Sequence, residues 1–112
     1  MLPQQMLRRS FAALIMALIS GGCFSADPPD LRSRHAPHKI PAIKSAVQNQ
    51  DKAAVPQLVH DLDSDDPAVR FYAIEGLQRL TSETFGYLYY ADAPARREAV
   101  MKWRKWLEEQ HR

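Results

Sequence analysis

Few residues in this 112-residue chain have the type and spacing to do chemistry. Cys23 is the only cysteine, and it directly follows the apolar run "FAALIMALISGG". Its thiolate is a nucleophile suited to an activated carbon donor. An odd Cys in an oxidising compartment is a liability unless it is used. His35 and His38 stand three apart, but a metal pair needs further ligands in a preformed site, and the surrounding stretch offers none. The acidic run "DLDSDD" from Asp61 has the composition of a calcium loop. It lacks the Gly at the sixth place and the Glu at the twelfth that such a loop needs, and a helix-capping role explains it better. His60 and Asp61 are neighbours on a helix, pointing about 100° apart, so they form no acid–base pair. No phosphate-cradling Gly loop, G-x-S-x-G or H-E-x-x-H occurs. The chain therefore reads as non-enzymatic, with no catalytic residue, no metal, no cofactor and no evident small-molecule substrate.

The segment that carries Cys23 sets its context. Arg8 and Arg9 precede Ser10–Ser20, which is uncharged and mostly apolar. As a helix those residues span about 16 Å, against a hydrocarbon core of ~30 Å. Residues 1–22 thus have the build of a secretory signal peptide, with the small Ser20, Gly21 and Gly22 where a peptidase needs room. "ISGGC" resembles the lipobox of bacterial lipoproteins, with Ser20 standing where that family most often has Leu. The resemblance implies that Cys23 becomes the mature N-terminus and carries the lipid. Two or more acyl chains, at about 0.8 kcal/mol per buried CH₂, would hold it stably on a membrane. By resemblance to lipoprotein sorting in two-membrane bacteria, the absence of Asp after Cys23 implies the outer membrane, facing the periplasm. Plain secretion into the periplasm or beyond, and an uncleaved anchor, are the alternatives. "RRSF" resembles part of a twin-arginine signal, but Leu7 and Ala12 fit it poorly, and the ordinary secretory route is expected.

Residues 23–39 read as a tether. "FSADPPDLRSRHAPHK" holds Pro28, Pro29 and Pro37 and has no apolar period, so an extended, disordered link of up to roughly 50 Å is expected. Charge says little about partners. Of fifteen Lys plus Arg, Arg8 and Arg9 lie in the signal segment, leaving thirteen against thirteen Asp plus Glu. A neutral mature chain has no general pull toward nucleic acid. Asp61, Asp63, Asp65, Asp66, Glu75 and Glu83 make the middle acidic, and Arg96, Arg97, Lys102, Arg104 and Lys105 make the last helix basic. Both read as solvated faces.

Residues 40–112 read as an all-α domain of about four helices. Ile40, Ile43, Ala46 and Val47 form a short stripe, with Pro41 suited to a first helical turn and "QNQD" ending it. Val55, Leu58, Val59 and Leu62 recur at i, i+3, i+4 and i+7, with Pro56 in the first turn. Asp65 or Asp66 caps a third helix from Pro67 to about Leu80. Its stripe is Val69, Ala73, Leu77 and Leu80, widened by Tyr72 and Ile74. Gly76 costs about 1 kcal/mol there relative to Ala, which suggests close helix contact.

"VPQLVHDLDSDDPAVRFYAIEGLQRL" resembles a HEAT repeat. Pro56, Leu58, Asp63, Val69, Arg70, Ala73, Leu77 and Leu80 fall on the pattern of that family. The resemblance implies two stacked helices, with Asp63 and Arg70 supporting the turn and the stacking. Only one full repeat is visible, whereas arrays usually need about three to bury a continuous core. Ile40–Asn49 would be a remnant of a preceding unit.

The closing segment runs through Thr81, Ser82 and Gly86 into a loop with Phe85, Tyr87, Tyr89 and Tyr90. Asp92 or Ala93 then leads through Pro94 into a last helix to about Glu109. Its apolar face is Ala99, Val100, Trp103, Trp106 and Leu107. Trp103 and Trp106 are expected to cap the open end of the stack. Tyr72, Tyr87, Tyr89 and Tyr90 are the candidate partner-binding residues, since exposed Tyr and Trp dominate binding hot spots. "TFGY" and the "WRKW" end resemble small HEAT-type lipoproteins of planctomycete-like bacteria, a likeness that implies no activity. Some HEAT-like proteins are DNA glycosylases, but export and a neutral mature chain argue against that here. The function expected is a lipid-anchored protein-interaction module of the bacterial envelope. The alternative is a small accessory or chaperone-like subunit that stacks on a larger envelope complex.

Overall fold

A computed structural model describes residues 29–112. The signal segment, Cys23 and the first part of the tether lie outside the described residues. Those described are all-α: helix α1 spans Ala36–Gln48, α2 Val55–Asp61, α3 Pro67–Thr81 and α4 Ala93–Gln110, and a 3₁₀ turn at Lys52–Ala54 leads into α2.

Local chemistry sets most of the boundaries. Asp51 accepts a hydrogen bond from the Ala53 amide at 3.1 Å and opens the 3₁₀ turn. Asp66 caps α3 by accepting from the Ala68 amide at 2.8 Å. Asp92 does the same for α4 with the Ala95 amide at 3.0 Å. In both, a Pro occupies the first turn, where its missing N–H costs nothing. Helix α3 ends at Ser82, whose left-handed backbone lets its amide reach the Gln78 carbonyl at 2.8 Å.

The start of the domain differs from the sequence expectation. Helix α1 begins at Ala36, not near Ile40, and Pro41 lies inside it rather than in its first turn. Residues 29–35 form turns rather than an extended link: the Asp30 amide bonds the His38 carbonyl at 3.1 Å, and Leu31 packs against the core. The cause is long-range. Lys39 is buried, with its ammonium 2.5 Å from the Asp61 carboxylate at the end of α2. A lysine is seldom buried unless it is paired, so this contact holds the N-terminal turn of α1 onto the domain.

Helix α1 packs on α3, α3 on α2, and α2 on α4. Ile43, Leu58, Leu62, Leu77, Val100 and Trp103 form the fully buried centre. Gly76 sits where three chains of atoms meet: a Cβ there would lie 3.1 Å from Val47 Cγ2 and 3.3 Å from Leu58 Cδ1. The close helix contact expected at Gly76 is present, between α3 and both of its neighbours.

Candidate functional surface

The sequence-derived candidates do not share one environment. Tyr87 is buried, with 3% of its surface exposed, and its hydroxyl donates to the Leu62 carbonyl at 2.7 Å. Burial pushes that hydroxyl up to about 12, against the opposing pull of Arg70 and Arg96. Tyr87 therefore closes the turn after α2 and leaves the set of candidate partner contacts. The backbone explains it. Phe85 and Gly86 both take positive φ, 51° and 71°, which turns the loop so that Tyr87 points inward.

Of the other three tyrosines, Tyr90 is exposed, while Tyr72 and Tyr89 are half-buried and pack against the core; Phe71 joins them. Phe71 meets Tyr72 edge-to-face at 5.2 Å and Tyr89 at 5.2 Å. Tyr89 meets Tyr90 at 5.2 Å. The result is a chain of four rings running from α3 onto the loop. Phe71 is 38% exposed, Leu88 49% and Tyr90 69%. The signal for Phe71 was in the spacing: it falls on the side of α3 away from the stripe Val69, Ala73, Leu77 and Leu80, so a large apolar residue there is solvent-facing.

Arg70 holds this surface in place from beneath. Its Nη1 donates to the Ser64 carbonyl at 2.8 Å and its Nε to the Tyr89 carbonyl at 3.0 Å. One buried guanidinium thus ties the α2–α3 turn to the aromatic loop. Asp63, the other polar residue of the repeat pattern, does not pair with Arg70. Its carboxylate is 2.5 Å from Arg104 on α4, in an exposed contact.

A groove of about 230 Å³ adjoins the rings at Tyr72, with Ile43, Val47 and Gly76 among its walls. Lys44 Nζ lies 4.8 Å over the Tyr72 ring at its edge. Glu75 on the same rim is taken by Arg79 at 2.7 Å. A second groove, of about 380 Å³, lies between Val55, Pro56, Leu80, Trp106 and Leu107. Near it Trp103 is fully buried, donates Nε1–H to the Thr84 carbonyl at 3.1 Å and meets Phe85 and Trp106 edge-to-face.

The titratable groups are arranged structurally. Asp61, read from sequence as part of a solvated acidic face, is instead buried. Its Oδ1 receives Lys39 and the Gln57 amide at 3.1 Å, while its Oδ2 has no partner among the described residues. His60 is exposed, and its Nδ1 is 3.8 Å from Asp61 Oδ1, beyond hydrogen-bond length. His35 and His38 contact each other edge-to-face at 6.4 Å. Among the described residues no three His, Cys, Asp or Glu side chains are placed to hold a metal, and no helix is long and apolar enough to cross a membrane.

No family model, curated protein or solved structure matches the chain.

Proposed function

We propose that this protein is a non-enzymatic interaction module of the bacterial envelope, anchored by a lipid on Cys23 and presenting a short HEAT-like stack. The observation that carries the interaction reading is the exposure of Phe71 and Tyr90, linked through the half-buried Tyr72 and Tyr89 beside a groove. Such rings are costly to leave in water and are the side chains that anchor partners. The packing order supports the repeat reading: α2 and α3 pair with each other, and each has one outer neighbour, α4 on α2 and α1 on α3. A repeat flanked by half-units would pack in that order. The "ISGGC" resemblance supports the anchor.

The half-open groove around Trp106 and Leu107 favours a second reading, an accessory subunit that completes its apolar end by stacking on a larger complex. Intact mass of the membrane-fraction protein, beside Cys23→Ser, tests the anchor. A Cys23 start plus acyl chains, lost in the variant, is expected. An unmodified mass in the soluble fraction would remove the anchor and leave the helical module alone.

A further inference from the structure

Pro41 divides helix α1. It lies inside the helix and has no N–H to give the Pro37 carbonyl, so a hydrogen bond is missing where the first turn joins the rest. Beyond Pro41, Ile43 and Ala46 are buried in the core. Before it, His35 supplies no side-chain cap. Residues 29–40 are held instead by the Asp30 amide on the His38 carbonyl at 3.1 Å, by Leu31 against the core, and by Lys39 on Asp61.

The last of these contacts is close to balance. Docking strips water from an ammonium and a carboxylate, and their attraction offsets that loss only where the remaining polar atoms are satisfied. Here they are not. Asp61 Oδ1 takes both Lys39 and the Gln57 amide, while Oδ2 is buried with no partner among the described residues. Release would return water to the ammonium and to both oxygens. Ile43, Ala73 and Leu77 have no such compensation, and their burial favours the closed core alone. The weakly held segment and the firmly held one therefore meet at Pro41.

That position also sets a length. With residues 29–40 docked, the chain from Cys23 to Pro29 can span at most about 20 Å. With them released, the chain from Cys23 to Pro41 can span at most about 60 Å.

We infer that residues 29–40 form a releasable strap, hinged at Pro41 and latched by Lys39 on Asp61, which switches the tether between a short and a long reach. The strap goes beyond the interaction reading, and its use as a length switch rests on the anchor proposed at Cys23. The test is native-state hydrogen exchange, read by NMR on the ¹⁵N-labelled full chain in detergent. The amides of Asp30, His38 and Lys39 are expected to exchange about 100-fold faster than those of Ala73 and Leu77, and at least about tenfold slower than in a short peptide of the same sequence. Lys39→Met leaves Asp61 without its cation. It should bring the amides of Asp30, His38 and residue 39 to the peptide rate and leave Leu77 unchanged, because the strap opens instead of the core. Pro41→Ala restores the missing N–H and should slow the same amides about tenfold relative to Leu77. Exchange of the strap amides at the Leu77 rate, exchange at the peptide rate in the unaltered chain, or equal acceleration of Leu77 by Lys39→Met would overturn the strap. Intact mass separates it from the anchor. An unacylated Cys23 with the expected exchange pattern removes the length switch and keeps the strap. An acylated Cys23 with uniform exchange removes the strap and keeps the anchor.

Discussion

Two aromatic clusters of similar composition do opposite things in this fold. Trp103 meets Phe85 and Trp106 edge-to-face on α4, as Phe71, Tyr72, Tyr89 and Tyr90 meet along α3 and its loop. In the first, the central ring is fully enclosed and its one polar hydrogen is spent on the Thr84 carbonyl. In the second, the run ends on a tyrosine that is mostly in water. Ring geometry is common to both, so edge-to-face packing does not mark a binding surface. What separates them is whether the apolar area and the polar handle are both already satisfied. Tyr87 makes the same point within one loop. It lies two residues from Tyr89, yet it is enclosed and hydrogen-bonded to Leu62.

The contrast can be broken most forcefully at its buried member. Trp103→Ala should cost about 3–5 kcal/mol and unfold much of the protein at 37 °C, read by thermal denaturation. Tyr87→Phe should cost about 1–3 kcal/mol, because the Leu62 carbonyl loses its buried donor. The same hydroxyl gives a pH signature. Its folded pKa, about 12, lies above the ordinary 10, so the folded state holds the proton longer. Its contribution is complete below about pH 10 and lost as pH rises toward 12, and Tyr87→Phe should flatten the fall in denaturant midpoint across that window. Phe71→Ala should cost less, about 0.5–1.5 kcal/mol, since it removes two ring contacts at a partly exposed site. Tyr90→Ala should stay within about 0.5 kcal/mol of wild type while weakening partner capture. A large loss of stability at Tyr90 would erase the distinction between the clusters.

How much of this was legible in the sequence depended on the range of the cause. Helices α2, α3 and α4 follow from local signals: apolar stripes at helical spacing, Pro56, Pro67 and Pro94 in first turns, and Asp66 and Asp92 as caps. Gly76 announced its close contact because a helical glycine is otherwise a cost. The start of α1 was not legible. Lys39 earns its buried place from Asp61, twenty-two residues away, and no local pattern encodes that pairing. The loop tyrosines were equally opaque, since no period applies there and the positive φ values at Phe85 and Gly86 decide which ring turns inward. Phe71 is legible only as an aromatic residue on the side of α3 opposite its apolar stripe.

We propose that the rings ending at Tyr90, rather than those packed around Trp103, meet a partner. Site-specific photocrosslinking in cells tests it directly, with a photoreactive phenylalanine analogue at position 90 in one strain and at position 106 in another. A discrete adduct from position 90, absent from position 106 and lost on adding Phe71→Ala, is the outcome this structure predicts. An adduct from position 106 alone would contradict it and assign the binding role to the end of α4.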